Sequence, residues 1–105
     1  MKLNRAVFFD RDGVLIDAII KDKKPYSIRY FNSIKIKKNI KKVINTIKKK
    51  NFLAFMITNQ PDVNRGLTDK KEVIKINLYL KKVLKLDDIF VCYASDNNSY
   101  RKKPN

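Results

Sequence analysis

Asp10 and Asp12, one residue apart at the end of the apolar run Arg5-Ala-Val-Phe-Phe9 and followed by Gly13, carry the strongest chemical signal in the sequence. Two carboxylates this close call for a cation. Magnesium, with hard oxygen ligands, would serve while clamping a phosphate oxygen. The two acids can then divide labour: Asp10 attacks phosphorus to form an aspartyl phosphate, and Asp12 protonates the leaving oxygen and later takes a proton from water. A DxDG run also opens calcium loops. Those need a helix before the loop and a glutamate at its twelfth position, whereas an apolar strand-like run precedes this one and its twelfth residue is Lys21. Two aspartates and a glycine also make an ordinary surface turn.

A second polar cluster, Thr58-Asn-Gln-Pro-Asp-Val-Asn-Arg65-Gly66, follows the apolar run Phe52–Ile57. A threonine hydroxyl and neighbouring backbone N–H groups suit a phosphate, and Arg65 can fork onto a second anionic group. Taken alone, the segment also reads as a plain loop built of turn formers. The third cluster is the tail Arg101-Lys102-Lys103-Pro104-Asn105. There Lys103 or a neighbour could neutralise a transferring phosphoryl group and screen Asp10, although basic tails are commonly just solvated.

The elements that must position these clusters are legible as a pattern. Residues 5–9, 52–57 and 89–93 are continuous apolar runs of strand length, the mark of parallel strands buried on both faces. Between the first two, Ile36, Ile40, Val43, Ile44 and Ile47 fall at offsets 0, 4, 7, 8 and 11, one helical stripe within 34–50, stopped at Asn51. Between the last two, Asp69 with Glu72 three residues on forms a capping-box start, followed by the stripe Val73, Ile76, Leu80, Val83 and Leu84. Residues 17–33 show no period. They are long for a βα connection, so they are expected to shape the entrance to a site. The order β-α-β-α-β predicts a parallel sheet with right-handed crossovers, in which ligands bind beyond the carboxyl ends of the strands. All three polar clusters would meet there.

Composition sets the limits. A chain of 105 residues with 44% hydrophobic residues is enough for one globular domain. One cysteine, Cys92, and no histidine leave neither an internal disulfide nor a zinc ligand set, and point to a reducing cytoplasm. No apolar run has membrane-spanning length. The 25 basic against 10 acidic residues give +15, which raises nucleic acid as a partner. Only five of the 25 are arginines, however, and the lysines accompany eleven asparagines and thirteen isoleucines, as an AT-rich coding sequence would produce. Specific nucleic-acid readers lean on arginine forks and stacked aromatics. A solvated lysine surface is therefore the better reading, one that still attracts anionic substrates.

Taken together, FFDRDGVLI, MITNQPDVNRGL and VCYASDNNSYRKKPN resemble the haloacid dehalogenase (HAD) phosphohydrolase superfamily over nearly the whole chain. The likeness is greatest to its small-cap subgroup III of heptose bisphosphate and histidinol phosphatases. The resemblance implies a Rossmann-like α/β fold with a three-layer parallel sheet, here three strands and two helices of the core, in a single domain over 1–105. It implies Asp10 as nucleophile and metal ligand, and Asp12 as general acid/base with its backbone carbonyl on the metal. Thr58 and Asn59 match the phosphate-binding second motif, Arg65 the substrate-contacting arginine, and Lys103, with Lys102 beside it, the third motif. The expected cofactor is Mg²⁺ without zinc, and the expected substrate a small phosphorylated metabolite such as a heptose bisphosphate or histidinol phosphate.

The family's fourth motif, a further aspartate after a fourth strand, is missing, and the family's fourth and fifth strands lie against the first. The chain is therefore expected to be an N-terminal fragment, with strand 5–9 at an open edge and with weak activity or none by itself. Two other classes are distinguishable: a phosphoacceptor module phosphorylated at Asp96, and a basic nucleic-acid-binding fragment whose binding to duplex DNA is salt-sensitive.

Overall fold

A computed structural model describes residues 5–21, 23–26 and 28–94. Strands β1 (Arg5–Asp10), β4 (Phe52–Asn59) and β5 (Asp88–Cys92) form a parallel sheet in the order β1-β4-β5. The register pairs Phe8 with Phe55, Asp10 with Ile57, and Asn59 with Cys92. Helix α1 (Ile40–Lys49) connects β1 to β4, and α2 (Lys70–Leu84) connects β4 to β5. Right-handed crossovers that always step the same way across a sheet place both helices on one face. A single core records this, joining Phe9, Ala54 and Met56 to Ile40 and Ile44 of α1 and to Ile76, Leu80 and Leu84 of α2.

Strands β1 and β4 are longer than their apolar runs, and the sheet is more one-sided than the runs suggest. Phe9 is buried, but Phe8 is 55% exposed, as are Ile57 (37%) and Phe90 (49%). The expectation of burial on both faces is thus corrected: among the described residues only the face bearing Phe9, Ala54 and Met56 is covered. The strand β4 also continues through Thr58 and Asn59, which lie on the sheet rather than in the loop after it. The edge position expected for the first strand is observed, since β1 pairs only with β4 among the described residues.

Helix α1 begins at Ile40, later than the periodicity of 34–50 indicates. Asn39 adopts a left-handed conformation (φ 68°) that starts the helix abruptly, as asparagine tolerates better than most residues. Ile36 instead bridges Ile16, and Val43 faces solvent (44% exposed). Asn51 does mark the stop, with φ 67°. In α2 the cap Asp69 accepts a hydrogen bond from Lys71 N (2.9 Å). Glu72, expected to complete a capping box, accepts from Phe31 N instead (2.9 Å), so it ties the helix to a distant segment.

That segment is the stretch without period. It contains a short antiparallel hairpin, β2 (Ile19–Lys21) with β3 (Lys24–Tyr26), and a 3-10 turn over Phe31–Ser33. Its base is closed by backbone bonds from Asp17 N to Lys35 O (2.8 Å) and from Lys37 N to Leu15 O (2.9 Å). Its far end rests on the loop after β4 and on α2, through Thr68 Oγ1 donating to Arg29 O (3.3 Å) and an edge-on Phe31–Tyr79 contact. Strands of three residues are too short to show an alternation, which is why the pattern was silent here.

Candidate active site

The carboxyl ends of β1 and β4 lie side by side, and the chain leaving β1 turns back at once. Gly13, at φ 92°, takes a conformation that side-chain-bearing residues rarely adopt. The turn is closed by Gly13 N to Ile16 O (2.7 Å) and by Leu15 N and Ile16 N to Arg11 O (3.1 and 3.0 Å). Leu15 and Ile16 are fully buried beneath it. The apolar pair thus anchors the acidic turn to the core and leaves the carboxylates at the sheet's edge.

A cleft of about 230 Å³ is lined by Asp10, Arg11, Asp12, Ile57, Thr58 and Asn59. It shares Asp10, Ile57, Thr58 and Asn59 with a larger hollow of about 390 Å³ that extends to Phe90, Val91 and Cys92 at the end of β5. Four of the residues singled out in the sequence, Asp10, Asp12, Thr58 and Asn59, are therefore brought together by the parallel register. The Asp10 side chain is exposed and accepts no hydrogen bond from the described residues. Asp12 is held from behind. Its Oδ2 accepts from Arg11 Nε (3.1 Å) and Gln60 Nε2 (3.0 Å), and its Oδ1 from Arg11 Nη2 (3.2 Å).

Arg65 is placed differently. It pairs with Asp62 (3.4 Å), which also faces Arg29 (3.5 Å), and it does not line either hollow. Lys102, Lys103 and the alternative phosphoacceptor Asp96 lie outside the described residues. No group of three or more Asp, Glu, His or Cys side chains is placed to share an ion among the described residues. The donor chemistry still suits magnesium, which commonly keeps several waters and takes one or two carboxylates plus a substrate phosphate. No described helix is long and apolar enough to cross a membrane.

Three residues at the site escaped the sequence reading: Arg11, Gln60 and Asn77, each at most 2% exposed. Asn77 carried a usable signal, because a polar residue at a buried position of the stripe Val73, Ile76, Asn77, Leu80 needs a partner. Arg11 carried a weaker one, a lone cation between two acids. Gln60 carried none, since glutamine in a Thr-Asn-Gln-Pro turn is unremarkable.

Known proteins similar to this chain bear on its fold and kinship. No family model matches the chain. It is 31% identical over 112 aligned positions to D-glycero-beta-D-manno-heptose-1,7-bisphosphate 7-phosphatase of Helicobacter pylori strain ATCC 700392 / 26695, covering 99% of this chain and 61% of that protein. It is 24% identical over 107 positions to the histidine biosynthesis bifunctional protein HisB of Buchnera aphidicola subsp. Baizongia pistaciae, covering 96% of this chain and 29% of that protein. Among solved structures, a D,D-heptose 1,7-bisphosphate phosphatase from B. bronchiseptica, complexed with magnesium and phosphate, superposes with a TM-score of 0.72. The identity is 20%, and the match covers 90% of this chain and 52% of that one, a likeness of fold. The chain therefore spans about three-fifths of the length of its heptose phosphatase relative. It is similar to these phosphatases over that part of their length, and its fold matches about half of the solved phosphatase's.

Proposed function

We propose, from that kinship and from the meeting of Asp10, Asp12 and Thr58 on one cleft, that this chain carries the nucleophile-bearing part of a magnesium-dependent phosphatase. Its substrate would be a small phosphorylated metabolite, with a heptose bisphosphate the candidate that the relatives' names suggest and histidinol phosphate the one that the motif resemblance adds. The observation that carries the reading is the shared cleft: an unengaged carboxylate, a second carboxylate fixed beside it, and a threonine hydroxyl on the adjacent strand.

The steps follow from the groups present. A carboxylate oxygen of Asp10 attacks phosphorus, the bond from phosphorus to the ester oxygen breaks, and that oxygen leaves with a proton from Asp12. Asp12, now ionised, takes a proton from an incoming water whose oxygen attacks the aspartyl phosphate. The bond to Asp10 then breaks and inorganic phosphate departs. Thr58 Oγ1 accepts a hydrogen bond from Gln60 Nε2 (2.6 Å), so its own proton is free to donate to a phosphoryl oxygen, and Asn59 lies beside it on the cleft wall. Magnesium held by the Asp10 carboxylate and the Asp12 backbone carbonyl would supply charge neutralisation for the incoming phosphate, leaving the Asp12 side chain to move the proton. Lys103 or Lys102 would add a cation on the phosphoryl group, and Arg65 would meet a more distant part of the substrate once released from Asp62.

Asp10→Asn, made in the longest natural reading frame that contains this chain, is expected to lower magnesium-dependent phosphate release by roughly 10³-fold or more, the scale on which loss of a covalent nucleophile is felt. Turnover within tenfold of the parent would sink the mechanism. A panel of heptose bisphosphate and histidinol phosphate, compared by kcat/KM, decides between the two substrates.

A further inference from the structure

The site contains more order than the proposed chemistry has used. The Arg11 guanidinium is fully buried, and its bonds among the described residues converge on two partners: Nε and Nη2 form a fork on Asp12, while Nη1 donates to Asn77 Oδ1 (3.1 Å) on α2. A buried arginine without such partners would carry a heavy desolvation penalty, so the fork and the asparagine are what allow it to sit there. Gln60, 1% exposed, completes the arrangement, because its Nε2 donates both to Asp12 Oδ2 (3.0 Å) and to Thr58 Oγ1 (2.6 Å). The opposite amide orientation would aim a carbonyl oxygen at a carboxylate, so the donor assignment has a physical basis.

A carboxylate oxygen offers about two acceptor positions. Asp12 Oδ2 has both filled, by Arg11 Nε and Gln60 Nε2, whereas Oδ1 has one filled, by Arg11 Nη2. We infer that Arg11, Gln60 and Asn77 are positioning residues: they lock Asp12 in one rotamer with Oδ1 as the oxygen turned to the substrate, and couple it through Gln60 to the Thr58 hydroxyl. The acid/base and the phosphate donor then move as one rigid unit anchored on α2. This rests on the phosphatase reading for its catalytic meaning, but its geometry stands apart from that reading.

Two measurements test it. In the unsubstituted protein, the Arg11 Nε–H and Gln60 Nε2–H₂ signals in a nitrogen-15 correlation spectrum should be slow to exchange with water, and should shift when Asp12 is replaced by alanine. Exchange as fast as that of an exposed side chain would overturn the proposal, with no need for activity. Gln60→Met keeps the volume and removes both donors. Its kcat should fall about 10- to 100-fold, the scale of a small misplacement of a reacting group, with KM within about threefold and the unfolding midpoint close to the parent's. Arg11→Lys keeps the charge and loses the fork, and should lose kcat to a similar degree. If Gln60→Met folds and keeps kcat within twofold, the positioning role is wrong even if the bonds are real. Slow exchange in a protein that releases no phosphate would instead remove the phosphatase reading and the catalytic role built on it, leaving only a buried structural network.

Discussion

Phe8 and Phe9 are chain neighbours of the same residue type, yet they belong to different physical worlds. Phe9 points to the helices and is 8% exposed; Phe8 points the other way and is 55% exposed. The same split runs across the sheet. Ala54 and Met56 are sealed under α1 and α2, while Ile57 and Phe90 are open to solvent. On the open side Phe8, Phe55 and Phe90 cluster with ring centroids 5.2 to 6.3 Å apart, covering one another where no other layer lies among the described residues. The candidate site sits where the two faces meet the strand ends. Asp10 belongs to the row of Ile57 and Phe90 on the open side, and Arg11 reaches into the covered side. One acid is thus free to change partners, while the other is tied to the core.

This contrast can be broken or sharpened by substitution, beginning with the largest effect. Phe9→Ala should cost about 3–5 kcal/mol of unfolding free energy, the range for emptying a buried aromatic site, measured by denaturant titration. A loss below ~1 kcal/mol would mean the covered face is not packed. Asp87 is next. Its Oδ2 accepts from Ala54 N (2.7 Å) while its own N–H donates to Ala54 O (2.8 Å). Asp87→Ala leaves the Ala54 N–H without its acceptor and should cost about 1–3 kcal/mol. Its partner Lys48 is one-third exposed at 3.5 Å, so Lys48→Met should change stability by less than about 1 kcal/mol, as exposed ion pairs do.

On the open face, Phe8→Ala should cost no more than about 0.5–1.5 kcal/mol, the worth of the aromatic contacts themselves. A loss matching that of Phe9→Ala would show that something else covers this face in solution. Smallest of all in stability, Phe90→Ser should reduce the binding of a hydrophobic dye to the folded protein while shifting the unfolding midpoint little. Unchanged dye fluorescence would place the accessible apolar surface elsewhere.

Much of the molecule was legible in advance. Long apolar runs and helical stripes report burial directly, so three strands, two helices and their order could be read without a structure. The Asp10, Asp12, Thr58 and Asn59 cluster was legible as well, because parallel strands joined by crossovers bring their carboxyl ends together whatever lies between them. Where the reading was off, the reason is local. The stripe from Ile36 included a residue that serves a bridge to Ile16, and apolar content alone could not distinguish a strand covered on two faces from one covered on one. Glu72 had a capping partner nearby and chose Phe31 N, a choice available only once residues 17–33 had folded over α2.

The sequence by itself determined which groups can do chemistry and which strand ends carry them, since residue type and period act within a few neighbours. Only the tertiary structure decided how those groups are held. Arg11 and Asn77 are 66 residues apart, and no local pattern couples positions at that distance. Their bond exists because burying a cation leaves it no solvent to turn to, and the packing of α2 places one amide oxygen within its reach.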